Sequence, residues 1–178
     1  MGAIREAELR RFVGGASKAM SAQSRKMSRI GSVTSVFLSH SSKDSDLAGM
    51  LKDALEKVDF RVYVDWLDGG MPDSVSVATA TRIREKIVEN SLFLLLSTNN
   101  ALQSRWVPWE LGFADGKKSS AKIGVFEVER EGEWYNGSEY VELYQKVTLP
   151  TSATRWQATY SSKQGAVSPV DLRAWLST

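Results

Sequence analysis

The chain has no cysteine and only one histidine among its 178 residues. A disulfide framework and a thiolate metal site are thereby excluded, and a histidine-rich metal centre has too few ligands to form. No apolar run approaches the ~18 residues that a membrane span needs, and the N-terminus lacks the apolar core of a signal peptide. Met1-Gly2-Ala3 opens like a myristoylation signal, but Glu6 stands where that signal needs Ser or Thr. These absences point to a soluble, cytoplasmic protein. The glycine patterns of dinucleotide-binding Rossmann loops and of P-loops do not occur. Nor does the Gly-x-Ser-x-Gly elbow that sets nucleophile geometry in an α/β-hydrolase.

What the chain has is enough apolar material for one globular domain with extensions, at 42% hydrophobic and 25% charged. Its net charge of +2 conceals an asymmetry. Residues 1–32 hold seven basic side chains against Glu6 and Glu8, a net +5, which leaves −3 on the remainder. This first segment reads as a basic N-terminal arm and linker: Ile4, Leu9, Phe12 and Val13 predict a short amphipathic helix, and Gly14-Gly15 opens a Ser-rich stretch. Nothing behind it interleaves basic and aromatic residues as a single-strand-binding surface does, so neither a nucleic-acid nor a membrane partner is expected.

Order is expected from about Val33. Val36-Phe37-Leu38 predicts a strand that ends in the polar loop Ser39-His40-Ser41-Ser42-Lys43-Asp44, followed by a helix with Leu47, Met50, Leu51, Leu55 and Val58 on one face. Residues 60–65 alternate with period two, as a half-exposed strand does, and lead into the long loop 65–73. A second helix follows, with Ser74 as candidate cap and Ile83 and Ile87 inward. Leu92-Phe93-Leu94-Leu95-Leu96 has no polar alternation, the mark of a central parallel strand covered on both faces. Residues 97–100 are its exit loop. A helix over 106–114, a strand over 123–128 and a short strand near 146–149 complete the alternation. Beyond Pro150, Ser168-Pro169-Val170-Asp171 reads as a capping box opening a final helix packed on the domain. The pattern predicts an α/β fold: a flavodoxin-like, doubly wound parallel sheet of five strands in the order 2-1-3-4-5, flanked by helices. In such sheets ligands bind beyond the carboxyl ends of the strands at the switch point, where residues 39–44 and 97–100 both fall. A phosphoacceptor receiver would need acids at those ends, and here they read Ser-His-Ser-Ser and Ser-Thr-Asn-Asn.

The stretch Ser104-Arg105-Trp106-Val107-Pro108-Trp109-Glu110-Leu111 reads as a helix start, with Pro108 and Glu110 in the first turn and Trp106 on the face of Glu110. Two readings stand. Glu110 is a dipole-matched acid beside core aromatics, or it is an ionised carboxylate beside a flat apolar wall that suits a planar, charged ring. One carboxylate of that kind fits cleavage of a bond whose leaving group is already cationic, such as the N-glycosidic bond of NAD. Trp106 is equally suited to core packing and Trp66 to anchoring its loop; Asp44 reads as a helix cap and Lys43 as a solvated side chain.

Residues 36–44, Val62-Tyr63-Val64-Asp65, residues 91–97 and the Trp106-x-x-x-Glu110 stretch, in this order and spacing, resemble the bacterial branch of the Toll/interleukin-1 receptor (TIR) domain family. The resemblance covers roughly residues 33–150 and leaves the N-terminal arm and a C-terminal extension, 151–178, outside it. It implies a domain that either consumes NAD or scaffolds signalling assemblies. For this chain the resemblance favours an enzyme of the NAD glycohydrolase or ADP-ribosyl cyclase type. It makes Glu110 catalytic and gives Ser39, His40, Ser41, Ser42, Lys43, Asp65, Trp66 and Trp106 to substrate binding. NAD is then substrate, with no metal and no resident cofactor. Residues from Asp65 onward correspond to the loop by which such domains associate head to tail, and anti-phage defence through a separate effector is the implied setting. Whether water, adenine or another nucleophile captures the ribosyl group is left open.

Overall fold

Six consecutive buried residues, Leu92–Ser97, form β4 at the centre of the sheet in the computed structural model. The structure describes residues 2–23, 34–57, 60–71, 76–149, 157–159 and 170–171. β4 is flanked in parallel by β2 (Thr34–Ser39), in register Val36 with Leu92 and Ser39 with Leu95, and by β5 (Ile123–Glu129), with Phe93 opposite Ile123. β3 (Phe60–Tyr63) lies outside β2, and β6 (Gln145–Thr148) lies beyond β5. Counted from β2, these five parallel strands run 2-1-3-4-5, the expected flavodoxin-like order.

Side chains alternate across a strand, so β4 feeds two cores. Leu92, Leu94 and Leu96 join Val36, Leu38 and Phe126 on the face covered by α1 (Glu6–Gln23) and α2 (Ser45–Glu56), through Leu9, Leu47, Leu51 and Leu55. Phe93 and Leu95 join Phe37, Ile123 and Val125 on the other face. There α3 (Val77–Glu89) and α5 (Trp106–Asp115) supply Ile83, Ile87, Val107 and Leu111. Phe37 stacks between Tyr63 and Phe93 at 5.3 and 5.6 Å.

The structure differs from the sequence reading in five places. A strand β1 (Ile4–Arg5) pairs in parallel with Val128 and Glu129, and α1 runs on through Gly14 and Gly15. Order thus begins well before Val33, because Leu9 is wholly buried and tertiary packing outweighs the poor helix propensity of glycine. α3 is capped by Ser76, whose hydroxyl accepts from Thr79 N in a reciprocal capping box; Ser74 lies outside the described residues. The exit of β4 is a one-turn helix, α4 (Asn99–Leu102), capped by Thr98. Beyond β6 the sheet gains β7 (Gln157–Thr159) and β8 (Val170–Asp171), both antiparallel to their neighbours. Val170 and Asp171 therefore extend a strand rather than begin a helix, as suits a β-branched residue opposite Ala158; the rest of the expected helix lies outside the described residues.

Candidate functional site

Ser104 starts α5 by accepting from Trp106 N and Val107 N, at 3.2 and 3.4 Å. That start puts Pro108 in the first turn but Glu110 in the second. The side chain of Glu110 is carried under the carboxyl end of β2, where Ser39 Oγ donates to its Oε2 at 2.5 Å. Glu110 is buried, and burial, reinforced by Asp65, pushes its carboxyl up to about 8; the Ser39 bond acts the other way. The expectation of a dipole-matched, ionised Glu110 is thus corrected. The helix dipole acts on the first turn alone, and desolvation of a charge outweighs it here. Glu110 rests as a neutral acid at pH 7, poised to ionise when a positive charge enters beside it.

His40 follows Ser39 and turns its ring inward. Nδ1 lies 3.2 Å from the Leu38 carbonyl, which can only accept, so in the neutral ring Nδ1 carries the proton and Nε2 keeps its lone pair. Burial pushes the imidazole below its ordinary value, against the opposing pull of Asp65. Nε2 faces Asp65 Oδ1 at 3.7 Å, and Trp66 stands edge-on to the ring at 4.5 Å. Asp65 also accepts from Trp66 N at 2.9 Å, which orients the carboxylate in the short 3-10 turn over Asp65–Leu67. Ser39, His40, Asp65, Trp66 and Glu110 are thus one constellation.

The other expected residues take different parts. Ser41 is buried and its hydroxyl accepts from Lys43 N, capping the 3-10 turn Ser42–Asp44, so it shapes the loop. Ser42 and Lys43 are exposed on that turn. Trp106 is half-buried, edge-on to Trp109 at 5.3 Å, and packs on the core beneath α5. Asp44 makes no side-chain cap bond. It is 0% exposed and accepts from Thr98 Oγ1 at 2.6 Å, Asn100 Nδ2 at 2.8 Å and Arg130 Nη1 at 2.7 Å.

The near half of the 65–73 loop is anchored. Asp68 receives Tyr63 Oη at 2.8 Å, Gly70 N at 2.9 Å and a two-point clasp from Arg82 at 2.9 and 3.1 Å, which holds its carboxyl well below the usual carboxylate range. Trp66 and Leu67 remain 43% and 62% exposed.

Sequence reasoning missed the cover over β4. The segment after β5, turned by Gly132 and Gly137 at positive φ, is tied down where Asn99 donates to the Trp134 carbonyl at 2.7 Å and Tyr135 Oη meets Ser97 Oγ at 2.7 Å. Arg130 of the same segment reaches Asp44. None of these residues sits in a motif, and their partners lie 35 to 86 residues away in sequence.

A doubly wound sheet of order 2-1-3-4-5 with a buried acid and a polar loop at its switch point defines a flavodoxin-like ligand-binding domain. The chain belongs to the TIR domain family, whose profile matches residues 36–163. It is 36% identical over 146 residues, 79% of this chain and 74% of the relative, to a protein of Bacillus cereus (strain MSX-D12) named probable 3' cyclic ADP-D-ribose synthase ThsB'. It is 31% identical over 85 residues to the putative cyclic ADP-D-ribose synthase TIR2 of Cytobacillus dafuensis; that match takes in 46% of this chain and 22% of the relative. Among the described residues no helix is long and apolar enough to cross a membrane.

Proposed function

We propose that this TIR domain cleaves the nicotinamide–ribose bond of NAD and forms a cyclic ADP-ribose. The observation that carries the reading is the buried Glu110 carboxyl bonded to Ser39 at the carboxyl end of β2. The names of both relatives agree with it. The pyridinium of NAD brings the positive charge that favours ionised Glu110. As the C1'–N bond breaks, its electron pair goes to the ring, nicotinamide leaves neutral, and the ribose develops oxocarbenium character opposite the carboxylate. Capture by a nucleophile of the same ADP-ribose, with loss of its proton, closes the ring; capture by water gives linear ADP-ribose.

In this reading Glu110 is the catalytic residue. Ser39 orients it, His40 presents a neutral Nε2, and Asp65 and Trp66 form the opposite wall, with Ser42 and Lys43 at the rim. Ser41 and Trp106 support from behind. NAD serves as substrate, with no resident cofactor, in the cytoplasm, and the product addresses a separate effector in anti-phage defence. The exposed Trp66 and Leu67 favour a contact with a second TIR domain through this loop. Concentrated protein incubated with NAD is expected to release nicotinamide together with a cyclic ADP-ribose resolved by mass spectrometry. Absence of nicotinamide from wild-type protein that self-associates would instead support a non-enzymatic scaffold.

A further inference from the structure

We propose that Arg130 is a positioning residue for the substrate loop, oriented by Glu6 of α1, a helix that lies outside the span matched by the family. The inference rests on residues 39–43 being the substrate loop. Its basis is the convergence of three segments, the turn 42–44, α2 and α1, on one guanidinium. Arg130 Nη1 donates to the Lys43 carbonyl at 3.4 Å, to Asp44 Oδ1 at 2.7 Å and to Asp46 Oδ1 at 3.3 Å, while Nη2 donates to Asp46 Oδ2 at 3.3 Å. Asp44 in turn joins this loop to Thr98 and Asn100 at the exit of β4. The loop's far end is therefore fixed by Arg130, Thr98 and Asn100, whereas its near end is fixed by the β2 ladder.

α1 closes the chain from the other side. Glu6 is buried; its Oε2 lies 3.8 Å from Arg130 Nε and accepts Glu131 N at 3.2 Å, while its Oε1 takes Arg10 Nε and Nη2 at 2.9 and 2.5 Å. Burial opposes its ionisation, but the Arg10 and Glu131 bonds outweigh it and hold the carboxyl below its ordinary range. Arg10 also reaches Asp46 at 3.2 Å. Arg10, Glu6 and Arg130 thus alternate in sign from α1 to two acids, Asp44 at the end of the substrate loop and Asp46 in the first turn of α2. A planar fork with several acceptors is geometrically demanding in a way a single ammonium is not. A wholly buried carboxylate such as Asp44 cannot lose a donor without a shift of its backbone or entry of water.

The clamp acts on the turn 42–44 and leaves β2 and α5, which carry Ser39 and Glu110, in place. Arg130→Met is therefore expected to raise KM for NAD on the order of tenfold, about 1.4 kcal/mol of binding, with kcat changed far less. Arg130→Lys should recover part of that loss, and Glu6→Gln should move KM in the same direction by less. Amide exchange is expected to quicken at residues 42–44 and 98–101, while the central strands keep wild-type protection. Wild-type KM in folded Arg130→Met, or exchange that rises uniformly across the sheet, would overturn the proposal; should that variant not fold, Glu6→Gln and Arg130→Lys decide the same question. If the wild type releases no nicotinamide, the proposed activity fails, and the exchange pattern alone still tests the clamp.

Discussion

Ser39 Oγ donates to Glu110 Oε2 at 2.5 Å, joining the end of β2 to the second turn of α5 across 71 residues of sequence. The bond joins the two segments on which the catalytic reading depends, and it sets the chemistry of the acid. A lone buried carboxyl would stay neutral, whereas a donated hydroxyl lowers the barrier to ionisation.

Glu110→Gln is expected to abolish nicotinamide release and to stabilise the fold at alkaline pH. The folded carboxyl titrates at about 8 against 4.5 in its ordinary setting, so between those values the unfolded state ionises first and stability falls as pH rises. The penalty is absent below the lower value and complete above the upper one. Glutamine removes it while keeping an oxygen for Ser39 to bond. Thermal denaturation should show a gain of about 2–4 kcal/mol at pH 8.5, shrinking towards zero at pH 4.5.

Turnover that needs ionised Glu110 should show kcat/KM rising with pH towards about 8 in the free enzyme. Ser39→Ala removes the one bond that favours the charged form and should displace that rise to higher pH. A loss of about 10- to 100-fold at pH 7 is expected. A profile flat from pH 6 to 9 in both proteins would separate Glu110 from the chemistry.

With one histidine in the chain, the imidazole resonances report on His40 alone. They should titrate below the ordinary value and show the Nδ1–H tautomer when neutral. Asp65→Asn removes a charge that favours the imidazolium and should lower the midpoint further. An upward shift in that variant would contradict the placement of Asp65.

Arg82→Met leaves the Asp68 carboxylate with only Tyr63 and Gly70 as donors. A loss of stability is expected, with faster proteolysis in the 65–73 loop. The Asp68 contribution runs opposite to that of Glu110: its carboxyl is depressed, so the stabilisation is present above the ordinary carboxylate value and fades as pH falls below it. Urea denaturation at pH 7 and pH 3 distinguishes the two.

The sheet order was legible because its signal is local. The unbroken run at 92–96 marks a strand covered twice, and period-two alternation at 60–63 marks the edge. The i,i+4 pairs Val107/Leu111 and Trp106/Glu110 placed the acid on the right helix, but one turn too near its start. The position of a helix start depends on a single hydroxyl, here Ser104, and no pattern of apolar spacing registers it. The protonation state of Glu110 was illegible for a related reason, since burial is a property of the assembled fold. Among the loop residues, Ser39 and His40 gather with Asp65 and Glu110, while Ser41 turns to capping. That division follows from which side of the chain each faces after β2 ends. Arg130 has no sequence signature at all, because each of its bonds crosses from the end of one strand to another segment.

The burial of Leu9 bears on where this domain can be cut. A fragment made to the family's span, residues 36–163, would carry β3 to β7, most of β2, Ser39 and Glu110, yet it would lack α1, β1 and β8. The face of α2 that packs against α1, and with it the core cluster that Leu9 helps to fill, would then be open to water, a fresh apolar patch on a protein that otherwise covers it. Such a fragment is expected to aggregate where the full chain does not, and assays performed on it would confuse clumping with signalling assembly.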